Sequence, residues 1–196
     1  MKIGLMMIIL MVSMVMPQPS AENVDGFFIE PQIETQEEII TIEEPEEEVI
    51  QQNENLIEHI DDMDTSVKTW MDYRAITDTS SPQWRLQQDA YTDENGLRKV
   101  GDYYCVAFGT GISNGIGSKF KVTFDNGNEI LVIVADHKAD RHTDKTNTYM
   151  NINDKANVME FIVDSNKLNN TAKVMGNVNY ISGFEGQIIY IEEVNE

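Results

Sequence analysis

The chain of 196 residues has one cysteine, five prolines and three histidines, and only 14 Lys plus Arg against 34 Asp plus Glu. A single cysteine, Cys105, has no partner for an internal disulfide and cannot build a cysteine-only zinc site. The formal charge of −20 repels a phosphate backbone, and without a basic patch it excludes nucleic acid as a partner. No nucleophile elbow is present, and His137 and His142 share one short stretch, so no Ser/His pair points to nucleophilic catalysis. The glycine-rich stretch from Gly109-Thr110-Gly111 to Gly115-Ile116-Gly117 lies between two expected strands and opens no helix. It reads as a tight crossing loop rather than a phosphate cradle.

What the chain does have is unevenly placed. From Glu22 to Asp64 there are 16 acidic residues and no Lys or Arg, whereas Thr65 to Glu196 carries 18 acidic against 13 basic. The acidic stretch includes Glu43-Glu44-Pro45-Glu46-Glu47-Glu48, and its apolar residues follow neither a helical nor a strand period. Like charges repel and so little apolar surface cannot offset chain entropy, so residues 22–64 are expected to form a disordered acidic linker. A short helix near 55–63 is the one local exception. Ahead of the linker, Lys2 is followed by an apolar run from Ile3 to Met16, shorter than the roughly 20 residues of a membrane span. Residues 1–21 therefore read as a secretory signal or, if uncleaved, an N-terminal anchor, which is the only membrane contact expected. The protein is expected to be secreted or associated with the cell envelope.

From residue 65 the composition is that of a globular domain, long enough for one core. Strands are expected at 67–77, 99–108, 119–124, 130–135, 158–163 and 186–194. Ser80-Ser81-Pro82 marks a helix start, with a Ser cap and Pro at the first helical position. A second helix is expected over 166–175, capped by Asp164 or Ser165 and closed by Gly176. Lys119-Phe120-Lys121-Val122-Thr123-Phe124 alternates, and Asp125-Asn126-Gly127-Asn128 is a hairpin turn into the apolar run Ile130–Ala135. The stretch 137–157 is expected to be mostly loop. Five or six strands, two short helices and no βαβ rhythm argue for a small barrel.

Two acids stand out. Asp136 follows six apolar residues, and Glu160 interrupts Val158-Met159-Glu160-Phe161-Ile162-Val163. A carboxylate in such a place is costly unless paired, and that cost is commonly tolerated for function. The plainer alternative is that Asp136 caps a turn and Glu160 faces solvent. Asp136, His137, Asp140, His142 and Asp144 have the chemistry of metal ligands. Lys138, Arg141 and Lys145 in the same stretch oppose a dication, so a polar, substrate-facing loop is the reading, with no metal and no cofactor. Tyr103, Tyr149 and Trp84 are candidates either for stacking on sugar rings or for packing.

Four segments taken in order resemble a known series. They are Cys105-Val106-Ala107-Phe108-Gly109, Ile116-Gly117-Ser118-Lys119-Phe120-Lys121-Val122, Val132-Ile133-Val134-Ala135-Asp136 and Val158–Val163. Their order resembles the 3D (three-aspartate) domain, and with it membrane-bound lytic transglycosylase A and expansin-like domains. The resemblance implies a mainly β fold, a six-stranded double-psi β-barrel with two short helices over 65–196. Asp136 matches the second aspartate of the series and Glu160 the third, while Gly109 stands where the first is expected. The family chemistry implies a secreted, cell-wall-active lytic transglycosylase cleaving β-1,4 linkages of bacterial peptidoglycan or another wall glycan. Asp136 would be its general acid/base and Glu160 a positioning partner, with His137, Lys138, Asp140, Tyr103 and Tyr149 against the substrate. The alternative is a non-catalytic, expansin-like module that binds wall glycan.

Overall fold

The computed structural model describes residues 54–194, apart from Asp61 and Asn114. All of them belong to the compact unit Val49–Glu196. The leader expected at 1–21 and the acidic stretch up to residue 53 lie outside the described residues.

Strand β1 (Thr69–Asp72) is followed by helix α1 (Pro82–Asp89), the short strands β2 (Tyr91–Thr92) and β3 (Arg98–Val100), and β4 (Tyr103–Phe108). Next come β5 (Lys119–Phe124), β6 (Glu129–His137), β7 (Met150–Ile152), β8 (Lys155–Asn157) and β9 (Glu160–Val163). Helix α2 (Asn170–Met175) and strand β10 (Ile188–Glu193) complete the order. No helix among the described residues is long and apolar enough to cross a membrane.

Several elements form for the reasons the sequence suggests. Ser81 caps α1 by accepting from Trp84 N at 3.1 Å, with Pro82 supplying the first helical residue. Helix α2 ends at Gly176, whose φ of 65° is left-handed and closes the helix without a Cβ clash. Its start is later than expected, because Asp164 closes a turn of its own and Asn169 caps the helix through Thr171 N and Ala172 N. Strand β1 likewise stops at Asp72, whose carboxylate accepts from Arg74 N and turns the chain into a single 3-10 turn over Tyr73–Ala75. Within the stretch expected to be loop, β7 and β8 form a hairpin. Its two connecting residues, Asn153 and Asp154, both have positive φ (51° and 63°), as a two-residue hairpin loop of the mirror-image type requires.

The main sheet has eight strands and runs β1-β9-β4-β6-β5-β10, with β3 beside β4 and β2 beside β3. β1 runs parallel to β9 and β4 parallel to β6, and the other pairs are antiparallel. The fold is mainly β with two short helices, but the expected six-stranded double-psi barrel is not present: the sheet is open. A barrel closes when its edge strands meet, and here each edge finds local partners instead. On β10, the Asn55 side chain donates to Ile189 O (3.0 Å) and accepts from Ile191 N (3.2 Å), while Leu56 N donates to Ile191 O (3.1 Å). Ahead of β1, Lys68 N donates to Asn177 Oδ1 (3.0 Å) and Val178 N donates to Lys68 O (2.8 Å). With these groups satisfied, closure has less to gain.

Both faces of the sheet are covered. One carries the main core, including Val106, Phe108, Phe120, Val122, Phe124, Val134, Phe161 and Ile191. Ile57 and Ile60, grouped by composition with the acidic linker, are buried in that same core. The other face carries a smaller cluster, Cys105, Ala107, Ile133, Ala135 and Ile162, packed beneath Tyr73 and Leu86. Cover on both sides explains why β6 is an unbroken apolar run.

Candidate functional site

Asp136 owes its direction to a bulge. Val106 pairs with Val134, but Ala107 pairs with Asp136, which leaves Ala135 as the extra residue on β6. In unbroken register Asp136 would pair with Phe108 and face the main core. The bulge turns it to the opposite face, toward α1. Ala107 also pairs with Glu160, and Glu160 with Thr69. Thr69, Glu160, Ala107 and Asp136 therefore form one row across four adjacent strands on one face. The two unusual acids share that face, on either side of Ala107, whose side chain is buried in the smaller cluster.

Asp136 opens into a cleft of about 290 Å³, lined also by Ala75, Ile76, Thr77, Asp78, Ser81 and Gln83. The rim is built by the turn leading into α1. Ser80 donates to Asp78 Oδ1 from its N (2.9 Å) and its Oγ (2.6 Å), and Ser81 Oγ donates to Asp78 O (2.7 Å). The Ser80 hydrogen bonds hold the Asp78 carboxyl below its usual range. Among the described residues, no Lys or Arg lines the cleft. Arg85 folds back along α1 and donates to Ser80 O at 2.7 Å. Such a lining offers carboxylate, amide and hydroxyl groups to a ligand and no cation to an anion. A smaller cavity of about 190 Å³, between residues 57–65 and 187–189, has no titratable side chain among the described residues of its lining.

Glu160 is held from its other side. Thr69 Oγ1 donates to Glu160 Oε1 at 3.0 Å. With the Asn157 amide nitrogen donating to the carbonyls of Met159 (2.8 Å) and Val67 (3.2 Å), its oxygen meets Thr69 Oγ1 (2.8 Å) and Lys138 Nζ (3.0 Å). The Thr69 hydroxyl has one proton and serves either Asn157 or Glu160. Lys138 is buried, and its Nζ also donates to Asn157 O at 2.8 Å. Burial lowers its pKa to about 8, and the Glu160 charge opposes that shift.

The other candidates are more scattered. His137 follows Asp136 at the end of β6, and its Nε2 is buried without a hydrogen-bond partner among the described residues. Asp140 is exposed and accepts from Thr110 Oγ1 at 2.8 Å. Tyr103 packs on the smaller cluster, with Lys119 Nζ 4.8 Å from its ring centroid, whereas Tyr149 packs on the main core. The two tyrosines thus belong to opposite faces and do not form one platform. Trp84 is half-buried on α1. Asp144 spends its carboxylate on its own loop, accepting from the N–H groups of Thr146, Thr148 and Tyr149. No group of three or more His, Cys, Asp or Glu among the described residues is placed to hold a metal ion.

Gly109, where the resemblance expects an acid, has no room for any side chain. A Cβ there would lie 2.0 Å from Asn147 O and 2.8 Å from its carbonyl carbon. Gly111 is as tight, since its Cβ would lie 2.1 Å from Thr146 O, and its N–H donates to Asn147 O at 2.9 Å. The glycines are there so that two loop backbones can touch. Gly109→Ala is expected to lower the unfolding free energy by about 1–3 kcal/mol, read from urea denaturation. Unchanged stability would mean that the 144–148 loop is not seated as described.

The sequence singles out Asp136, Glu160 and, as a substrate-facing residue, Lys138, but not the surroundings the fold gives them. The cleft rim at 75–83 and the Thr69–Asn157–Lys138 cluster come from distant segments joined only by strand pairing. Comparison with known proteins finds no matching family model, no matching curated protein and no matching solved structure. With an open sheet and no family match, membership of the 3D or double-psi barrel group is not upheld, and the lytic transglycosylase and peptidoglycan assignments that came with it lose their footing.

Proposed function

We propose that the domain acts on a neutral, polyhydroxylated ligand of glycan type bound in the Asp136 cleft, with Asp136 as the general acid toward a glycosidic oxygen. The observation that carries this reading is the bulge in β6, which sends a strand-end carboxylate into an open cleft rimmed by Asp78, Ser81, Gln83 and Thr77. Hydroxyl-rich ligands are recognised by such acceptors and mixed donors, while the absence of a lining cation disfavours phosphates and carboxylates. Export directed by the N-terminal segment would place the site where extracellular or envelope glycans are available. Neither a metal nor an organic cofactor is part of this proposal.

The test is release of soluble sugars by the full-length chain from a panel of insoluble β-1,4-linked glycans. Asp136→Asn is expected to lower release by about a hundredfold or more, the usual range for losing a general acid, with binding to the glycan retained. Equal release by the variant would remove Asp136 from the reaction. A second reading, binding without cleavage, is favoured by one observation: Glu160 does not line the cleft. Retention on glycan without sugar release, lost on Asp78→Asn or Gln83→Ala, would select it.

A further inference from the structure

Away from the cleft, the fold presses a buried amine against a buried amide, with a carboxylate beside them. Lys138 follows β6, Asn157 ends β8, Glu160 opens β9 and Thr69 opens β1. Asn157 has no exposed surface and Lys138 almost none, and Ala156, Val158 and Met159 around them are equally closed to water. Lys138 Nζ lies 2.8 Å from Asn157 O and 3.0 Å from Asn157 Oδ1, while the amide nitrogen is held by the carbonyls of Met159 and Val67. The amine thus touches an atom one bond from the amide carbon. Thr69 Oγ1 is 2.8 Å from that same Oδ1 and 3.0 Å from Glu160 Oε1, and the Glu160 charge acts on Lys138. We propose that the Lys138 and Asn157 side chains join in an intramolecular isopeptide bond, with Glu160 carrying the protons. None of the four residues lines the Asp136 cleft, so the proposal is independent of the glycan reading.

A lysine attacks a carbonyl carbon only as the neutral amine, and burial makes that form easier to reach by lowering the Lys138 pKa to about 8. Holding amine and amide in contact removes the entropy cost of bringing them together, and excluding water protects the step from hydrolysis. Lys138 first hands one proton of its ammonium to Glu160. Nζ then forms the bond to Cγ of Asn157, and Thr69 Oγ1 donates to Oδ1 as negative charge gathers there. Nζ gives up a second proton, Nδ2 takes one, and the bond from Cγ to Nδ2 breaks. Ammonia leaves, and with the proton held by Glu160 it departs as ammonium. No oxidant or other reactant is needed. The bond ties the end of β6 to β8 and closes the 138–157 loop, in a chain whose single cysteine allows no internal disulfide. The pH response of Lys138 belongs to the chain before the bond forms and ends with it.

The test is a tryptic map of the full-length chain by mass spectrometry. Trypsin does not cut after a bonded lysine, so residues 122–141 are expected as one peptide branched to residues 156–167. The branched product is expected to be about 17 Da lighter than its two parts, the mass of one ammonia. Asn157→Ala is expected to give the parts separately, with cleavage after Lys138. Glu160→Gln, which keeps a hydrogen-bonding group toward Thr69, is expected to slow bond formation by about a hundredfold with an unchanged circular dichroism spectrum. A merely structural Glu160 would not produce that split. Separate peptides 122–138 and 156–167 from the wild-type chain, with no branched product even after incubation at pH 9, overturn the proposal. Complete linkage in Glu160→Gln removes Glu160 from the step and overturns its part. Should a variant fail to fold, the wild-type map alone decides.

Discussion

Phe161→Ala is expected to lower the unfolding free energy of the domain by about 3–5 kcal/mol, the range for deleting a fully buried aromatic ring. Phe161 has no exposed surface, and it sits in β9 between Trp70 of β1 and Val106 of β4. Its ring meets Phe184 edge-on at 5.4 Å between centroids and Tyr104 at 6.3 Å, and those two meet each other at 5.1 Å. The trio ties β4 and β9 to the segment before β10, so the cavity left by alanine cannot collapse without moving the sheet. A domain of this size has about 5–15 kcal/mol in total, so the loss is a large share. Phe161→Leu keeps most of the volume and is expected to cost less than half as much. Urea midpoints of the two variants check this. Equal, small shifts would mean that the trio is not the centre of the core.

The expected result also bears on the site, because Phe161 is the residue after Glu160. The same strand carries the core ring on one face and the candidate carboxylate on the other, which is why Glu160 could be picked out as an interruption of an apolar run. Asp136 was legible for a similar reason, as the polar end of Ile130–Ala135. The bulge that turns Asp136 toward its cleft was not legible, because the extra residue, Ala135, looks the same in or out of register. The hairpin of β5 and β6 follows from alternation and an Asn-Gly turn, both local signals. The hairpin of β7 and β8 carries a local signal too, Asn153-Asp154, but its strands are only three residues each and half of those residues are polar. The barrel was a statement about how distant edges meet, and no local pattern reports that Asn55 and Asn177 are there to occupy them. Gly109 was read by position in a series as a missing acid. Its cause is steric, a contact with Asn147 nearly forty residues away.

Lys68→Met is expected to destabilise the domain by about 3 kcal/mol at pH 7, from several buried acceptors left without a donor, and to remove part of its pH dependence. Lys68 is fully buried ahead of β1, and nothing in its sequence neighbourhood marks it. Its Nζ donates to Gly186 O (2.6 Å), Asn179 Oδ1 (2.9 Å) and Ser66 O (3.2 Å), and lies 4.9 Å from the Phe124 ring centroid. One ammonium thus fastens three chain segments at the edge where the sheet stays open. Among the described residues no carboxylate touches it, so burial wins and lowers its pKa to about 8, against more distant help from Asp125, Asp64 and Glu185. An unfolded lysine titrates near 10.5. Below pH 8 the ammonium is charged in both states, and the full cost of burying it is present. Between about 8 and 10.5 the unfolded chain holds a proton that the folded one has released, so this group makes stability rise with pH across that window. The hydrogen bonds of the neutral amine are fewer, but the linkage sign is fixed by the lowered pKa. Lys138, also lowered to about 8, acts in the same direction. Denaturation of wild type, Lys68→Met and Lys138→Met at pH 7 and pH 10 separates the two, since the other titrating groups cancel in the differences. Each variant is expected to gain less stability than wild type between those pH values. A Lys68→Met variant with the wild-type pH response would mean that this lysine is not buried in the folded chain, and the edge clamp it forms would have to be abandoned.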